Sequence, residues 1–214
     1  MTKKHRFLPR LAAALLAFAA CLSLSQPAHA AGGPQPVDQA KGARGMAIVH
    51  QLQAAGDPAA LIAKLSAADK DALGYVTAPA SVTVTNTSAR PAGVTPADYT
   101  GCWWDYQNQI ASNVYGNALY SWWLRTQICA DSGHTTSLQI LSANGNIYPG
   151  WSWAWSVSAG PDTQQKDMGW EGRFEMHIQF EGPFFDDHDY CLQNRQNAIY
   201  YEVYANSQSC DINS

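Results

Sequence analysis

The sequence is poor in charge, and poorest in positive charge. Charged residues make up 14% of the 214, with 13 Lys and Arg against 17 Asp and Glu. Four of the basic residues (Lys3, Lys4, Arg6 and Arg10) lie at the very start. Beyond residue 30, nine basic residues face 17 acidic ones, a net charge of −8. Residues 31–98 are balanced at five against five, so the whole excess sits in 99–214, at four against twelve. An acidic domain repels phosphate, which argues against nucleic acid and anionic membranes as partners. Long apolar runs are missing after Leu24, so no membrane span is expected once the leader is removed. CxxC pairs and His-rich spacings are missing too, and neither a metal nor a cofactor is expected. No GxSxG, HExxH, GxGxxG or phosphate-loop pattern occurs. There is no internal repeat of fixed period.

What is present begins with a leader. The basic start is followed by the apolar run Leu11–Leu24 and by Pro27-Ala28-His29-Ala30, with small residues at the two positions a signal peptidase reads. Residues 1–30 are expected to be a signal peptide and the product to be secreted to the extracellular space. Phe18-Ala19-Ala20-Cys21 loosely matches a lipoprotein box, but Phe is a poor fit at its first position, so release is expected over anchoring. Cys21 leaves with the leader. Cys102, Cys129, Cys191 and Cys210 remain, and an even count in an exported chain reads as two disulfides. Three connectivities are possible. The sequential one, Cys102–Cys129 and Cys191–Cys210, is expected because each pair brackets a local β segment.

Residues 31–76 read as a helical N-terminal segment. Asp57 with Pro58 marks one helix start, and Ser66 with Asp69 forms a capping box for another ending near Leu73-Gly74. These short helices either dock on the β-domain or fluctuate. Residues 77–99 read as a linker or edge strand, with Ser81–Thr85 able to pair weakly. Residues 100–214 alternate with period two and hold all eight Trp. Expected strands are Cys102–Ile110, a long one over Ala118–Ile128, Thr136–Leu141, a Trp-rich one over Trp151–Ser158, Trp170–Glu181 and Ala198–Ala205. Asp131–His134 and Ala143–Asn146 read as turns, and Asp186–Asp189 as a solvated acidic loop. The fold expected is mainly β, an antiparallel sandwich or barrel of about six or seven strands preceded by short helices. The Pro- and Ser-rich linker suggests that the β-domain is separable from the helices.

The Ala-rich stretch ending LSAADKDALGYVTAPASVTV, followed by CWW, LYSWWL and a Trp/Gly-rich β region, resembles the small secreted proteins of actinobacterial-type Gram-positive bacteria whose function is unknown. The resemblance implies export and a β-fold, and it carries over no catalytic residue.

Aromatic residues on a strand face suit sugar stacking. Trp151, Trp153 and Trp155 are expected to fill the core, because the opposite side of their strand is small and polar. In Trp103-Trp104 and Trp122-Trp123, one ring of each pair points inward and the other outward. Trp123 shares its face with Arg125 and Gln127 and is the expected open ring. A second polar face offers Arg173, Glu175 and His177, outward on a strand whose Phe174, Met176, Ile178 and Phe180 go inward. Tyr200, Glu202 and Tyr204 complete the candidate binding set. The function expected is that of a secreted, non-catalytic protein binding an extracellular polysaccharide or a protein surface. The alternatives are a jelly-roll glycoside hydrolase using Glu175 or Glu202, and an interaction or inhibitor module.

Overall fold

Among the described residues, three short helices form where the sequence caps them. In this computed structural model α1 spans Gln39–Ala54, α2 Pro58–Lys64 and α3 Ala67–Thr77. Asp38, Asp57 and Ser66 each accept a backbone N–H three residues on, and Pro58 opens α2. α3 runs past the expected stop at Leu73-Gly74. Leu73 and Val76 are fully buried on one face, and packing of that face carries the helix through Gly74. The structure describes residues 36–89, 99–182, 184–197, 201–205 and 210–213. The expected signal peptide lies outside these residues, as does 90–98 of the linker. The chain divides at Pro36, and every element here belongs to the unit Val37–Ser214.

Among the described residues, eight strands make two four-stranded antiparallel sheets, as a sandwich rather than a closed barrel. The first holds β1 (Ser81–Ser88), β2 (Gly101–Ser112), β3 (Ala118–Asp131) and β4 (His134–Ile147) in that order. The second holds β5 (Ser156–Asp167), β6 (Gly172–Gly182), β7 (Phe185–Gln196) and β8 (Tyr201–Ala205) in that order. The expected edge segment at 81–85 is β1, and β7 is the strand that the sequence reading did not name. Asp131–His134 is a two-residue hairpin turn, with φ of 50° at Ser132 and 78° at Gly133. Both sequential disulfides, Cys102–Cys129 and Cys191–Cys210, are present.

The inner faces meet through Tyr120, Trp122, Leu124, Phe174, Met176, Ile178 and Phe180, all at 3% exposure or less. Tyr120 stacks on Phe180 with centroids 4.3 Å apart, and Trp122 stacks on Tyr190 at 4.0 Å. Ile48, Val49, Leu52, Leu73 and Val76 join the same core, so the helices are docked. Trp155 Nε1 donates to the Thr77 carbonyl, and Asn113 Nδ2 donates to the Val76 carbonyl. A separable β-core does not fit this shared interior.

Three sequence readings are corrected. Trp151–Trp155 is not a strand but a helical turn: Ala154 N and Trp155 N both bond the Trp151 carbonyl. Burial follows a three-four spacing, with Trp151, Ala154 and Trp155 inside and Trp153 half-buried, donating to the Gly150 carbonyl. Trp bulk suits either period, and the docked helices select this one. Ala143–Asn146 is not a turn but the end of β4. A Cβ on Gly145 would sit 2.5 Å from Ile178 and 3.0 Å from Phe180, so its glycine serves the close approach of the sheets. Asp186–Asp189 is not a loop but part of β7, with Gln179 paired to Asp189 and Phe180 to His188.

Candidate functional site

The two polar faces of the sequence reading lie on opposite outer surfaces of the sandwich. Trp123, Arg125 and Gln127 share the outer face of β3. There they meet Trp104 and Tyr106, because β2 places Trp104 beside Gln127, Tyr106 beside Arg125 and Asn108 beside Trp123. Trp104 and Trp123 are thus offset by about 14 Å along the strands, with Tyr106 between them. All three rings are half-buried and keep open surface. The exposed Arg125 guanidinium lies 4.7 Å from the centre of the Trp104 ring. Exposed Thr85 and Thr87 flank the rings on β1, and exposed Gln139, Ser142 and Asn144 on β4. Ser121, which strand alternation places on the same side as Trp123, is buried. Burial, with Tyr148 nearby, raises the Tyr106 phenol above its usual range, so it remains a hydrogen-bond donor at neutral pH. The arrangement is a run of flat rings edged by amides and hydroxyls.

This face exists because β2 is inverted. Residues 101–112 alternate, but the inward set is Trp103, Asp105, Gln107, Gln109 and Ala111, and the outward set includes Trp104 and Tyr106. Simple patterning would bury the two aromatics and expose the amides. Part of the inward set is satisfied. Trp103 Nε1 donates to Gln196 Oε1, and Gln196 and Asn194 both donate to Thr126 Oγ1. Among the described residues, neither amide atom of Gln107 or Gln109 has a hydrogen-bond partner, and each such group costs about 1–3 kcal/mol.

Arg173, Glu175 and His177 share the outer face of β6, but that face is not an ordinary solvated one. Arg173 is at 9% exposure and Glu175 at 3%. The cause is the segment 210–213, which Cys191–Cys210 fastens across the strands. Arg173 pairs with Glu171 and donates to the Ile212 carbonyl, Lys166 donates to Asn213, and Ile212 is itself buried. Glu175 is held by His177 Nε2 at 2.8 Å and by Gln193 Nε2 at 2.9 Å. Beyond the strap the face opens into a concavity of about 430 Å³ lined by Gly160, Asp162, His177, Gln179, Asp189 and Cys191 among others. In the β-ladder, Glu202 and Tyr204 pair with Arg195 and Gln193, so Glu202 stands two strands and two residues from Glu175. That separates the two Cα atoms by roughly 12 Å. Tyr200 lies outside the described residues. The candidate set is therefore two sites, of which the β2–β3 face holds the open rings.

Sequence reasoning named both Trp pairs but did not assign Trp104 or Tyr106 to a face. The signal was there in the Asp105, Gln107 and Gln109 alternation, but the hydrophobic rule reads it the wrong way round. No family model matches the chain, and neither does any curated protein or solved structure.

Proposed function

We propose that the protein is a secreted, non-catalytic carbohydrate-binding protein that takes an extracellular polysaccharide on the outer face of β2 and β3. The observation that carries this reading is the inversion of β2. Trp104 and Tyr106 face solvent while Gln107 and Gln109 are buried with no hydrogen-bond partner among the described residues, an arrangement that costs stability. Such conflicts between pattern and fold concentrate at functional surfaces. Trp104, Tyr106 and Trp123 offer apolar ring faces to the C–H faces of sugars. Arg125, Gln127, Asn108 and Asn144 offer donors and acceptors to their hydroxyls. The run of about 14 Å accommodates a short stretch of chain rather than one unit. The two disulfides fit an oxidising compartment, in keeping with secretion.

The test is retention on insoluble polysaccharides (cellulose, chitin and bacterial cell wall). The wild type should be retained on at least one. Trp123→Ala should lose at least tenfold in affinity with little change in melting temperature, since one stacked ring dominates a small site. A wild type that passes through all of them rejects the proposal and moves the interaction-module reading to first place.

A further inference from the structure

The strongest unassigned chemistry lies where the strap meets β6 and β7. One carboxylate oxygen of Glu175 and the sulfurs of Cys191 and Cys210 all lie within 4.8 Å of one another. His177, outside that group of three, brings Nε2 to 3.6 Å from Cys191 Sγ and 2.8 Å from Glu175 Oε1. Two sulfurs, an imidazole nitrogen and a carboxylate oxygen are the donor set of a tetrahedral zinc site. In such a site Zn–N and Zn–S distances of about 2.0–2.1 and 2.3 Å place nitrogen and sulfur about 3.5 Å apart, close to the His177–Cys191 separation. The disulfide keeps both sulfurs from acting as thiolate ligands.

We propose that reduction of Cys191–Cys210 by a small thiol turns this corner into a zinc site of Cys191, Cys210, His177 and Glu175. In the first step two thiols supply two electrons and two protons, the S–S bond breaks into two cysteine thiols, and the reductant leaves as its own disulfide. In the second step Zn²⁺ binds both sulfurs and displaces their two protons. Two thiolates on one zinc sit about 3.8 Å apart, a separation the freed sulfurs reach by rotation about their Cα–Cβ bonds. His177 contributes Nε2, and Glu175 is already positioned by Gln193. The concavity of about 430 Å³ gives access, because His177 and Cys191 both line it. Asp162 and Asp189 on the same lining favour the approach of a cation. Zinc then takes over the fastening of the strap, so segment 210–213 stays attached in either redox state.

The site is independent of the sugar face, and its test uses no sugar. The full-length protein is reduced with dithiothreitol, desalted under nitrogen and titrated with Co²⁺, then with Zn²⁺. The reduced protein should bind one equivalent of Co²⁺ with the strong visible bands of tetrahedral thiolate coordination, and Zn²⁺ should remove them. The oxidised protein should show none. A Cys102→Ser/Cys129→Ser variant should keep the bands after reduction, while Cys210→Ser should lose them. His177→Ala should weaken binding at least tenfold. A reduced protein without the bands overturns the proposal, as does an unchanged spectrum in Cys210→Ser or His177→Ala, or loss confined to the Cys102/Cys129 variant.

Discussion

Replacing Trp155 by Ala should lower the melting temperature by roughly 6–20 °C. The ring is 2% exposed and stands where three parts of the core converge. It lies 4.7 Å from the Tyr120 ring, packs on Gly182 and bonds the last residue of α3 through Nε1. Emptying a site of this size costs about 3–5 kcal/mol in transfer and cavity terms. For a unit of 150–250 residues, each kcal/mol shifts the midpoint by about 2–4 °C. The loss is a large share of a net stability of ~5–15 kcal/mol. Trp123→Ala removes the same side chain from the open face and should cost less than about 1 kcal/mol. Trp155→Phe separates the two contributions, keeping most of the ring and losing about 1 kcal/mol with the hydrogen bond. Thermal melts followed by near-ultraviolet circular dichroism, with urea titrations for free energies, give the comparison. Equal shifts for Trp155→Ala and Trp123→Ala would refute both the core assignment of Trp155 and the openness of Trp123.

Gln107→Leu should raise stability by about 1–3 kcal/mol, because it replaces a buried amide without partners by an apolar side chain of similar volume; a lower urea midpoint would mean that the amide is bonded. Burial, reinforced by their mutual hydrogen bond at Tyr120, raises both the Tyr120 and Tyr190 phenols above the ordinary tyrosine range. The protonated forms favour the folded state, so stability is whole below the unfolded pKa near ~10 and falls above it by about 1.4 kcal/mol per pH unit per group. Melting temperatures between pH 9 and 11 should therefore decline less steeply in Tyr120→Phe than in wild type, and parallel slopes would contradict this. Removal of residues 37–77 takes Ile48, Val49, Leu52, Leu73 and Val76 out of the shared core, at roughly 1.5–3 kcal/mol each, which is comparable to the whole net stability, and deprives Trp155 of its Thr77 partner. The truncated chain should give a collapsed amide proton spectrum, and a dispersed one would show that the sheets fold alone.

The sequence carried the fold class, both disulfide pairs, the helix caps at Asp57 and Ser66 and the faces of β3, because each rests on local chemistry. The Trp151–Trp155 turn was illegible for a different reason. Alternating Trp and small residues satisfy strand and helix periods equally, and only contact with α3 decides between them. Gly145 beside two Asn is a turn signal unless Phe180 is known to lie against it. Glu175 and Arg173 read as solvated because the segment that covers them is 35 or more residues away in the chain. The β3 half of the candidate site was readable, since Trp123, Arg125 and Gln127 lie on one strand. The β2 half was not, because burial there follows tertiary demands against the hydrophobic pattern.

That conflict gives the Cys102–Cys129 disulfide a second meaning. The two residues are direct cross-strand partners, with Cα atoms 4.0 Å apart. A slip of one residue between β2 and β3 would exchange the faces of β2, hiding Trp104, Tyr106 and Ile110, freeing Gln107 and Gln109, and turning Trp103 and Ala111 outward. Hydrophobic sorting alone favours the slipped pairing. The disulfide is compatible with only one of the two, so it acts as the chain's record of the alignment that its side chains would not choose. Refolding with this bond intact starts from the correct alignment, whereas refolding from the reduced chain has to find it against the hydrophobic gradient.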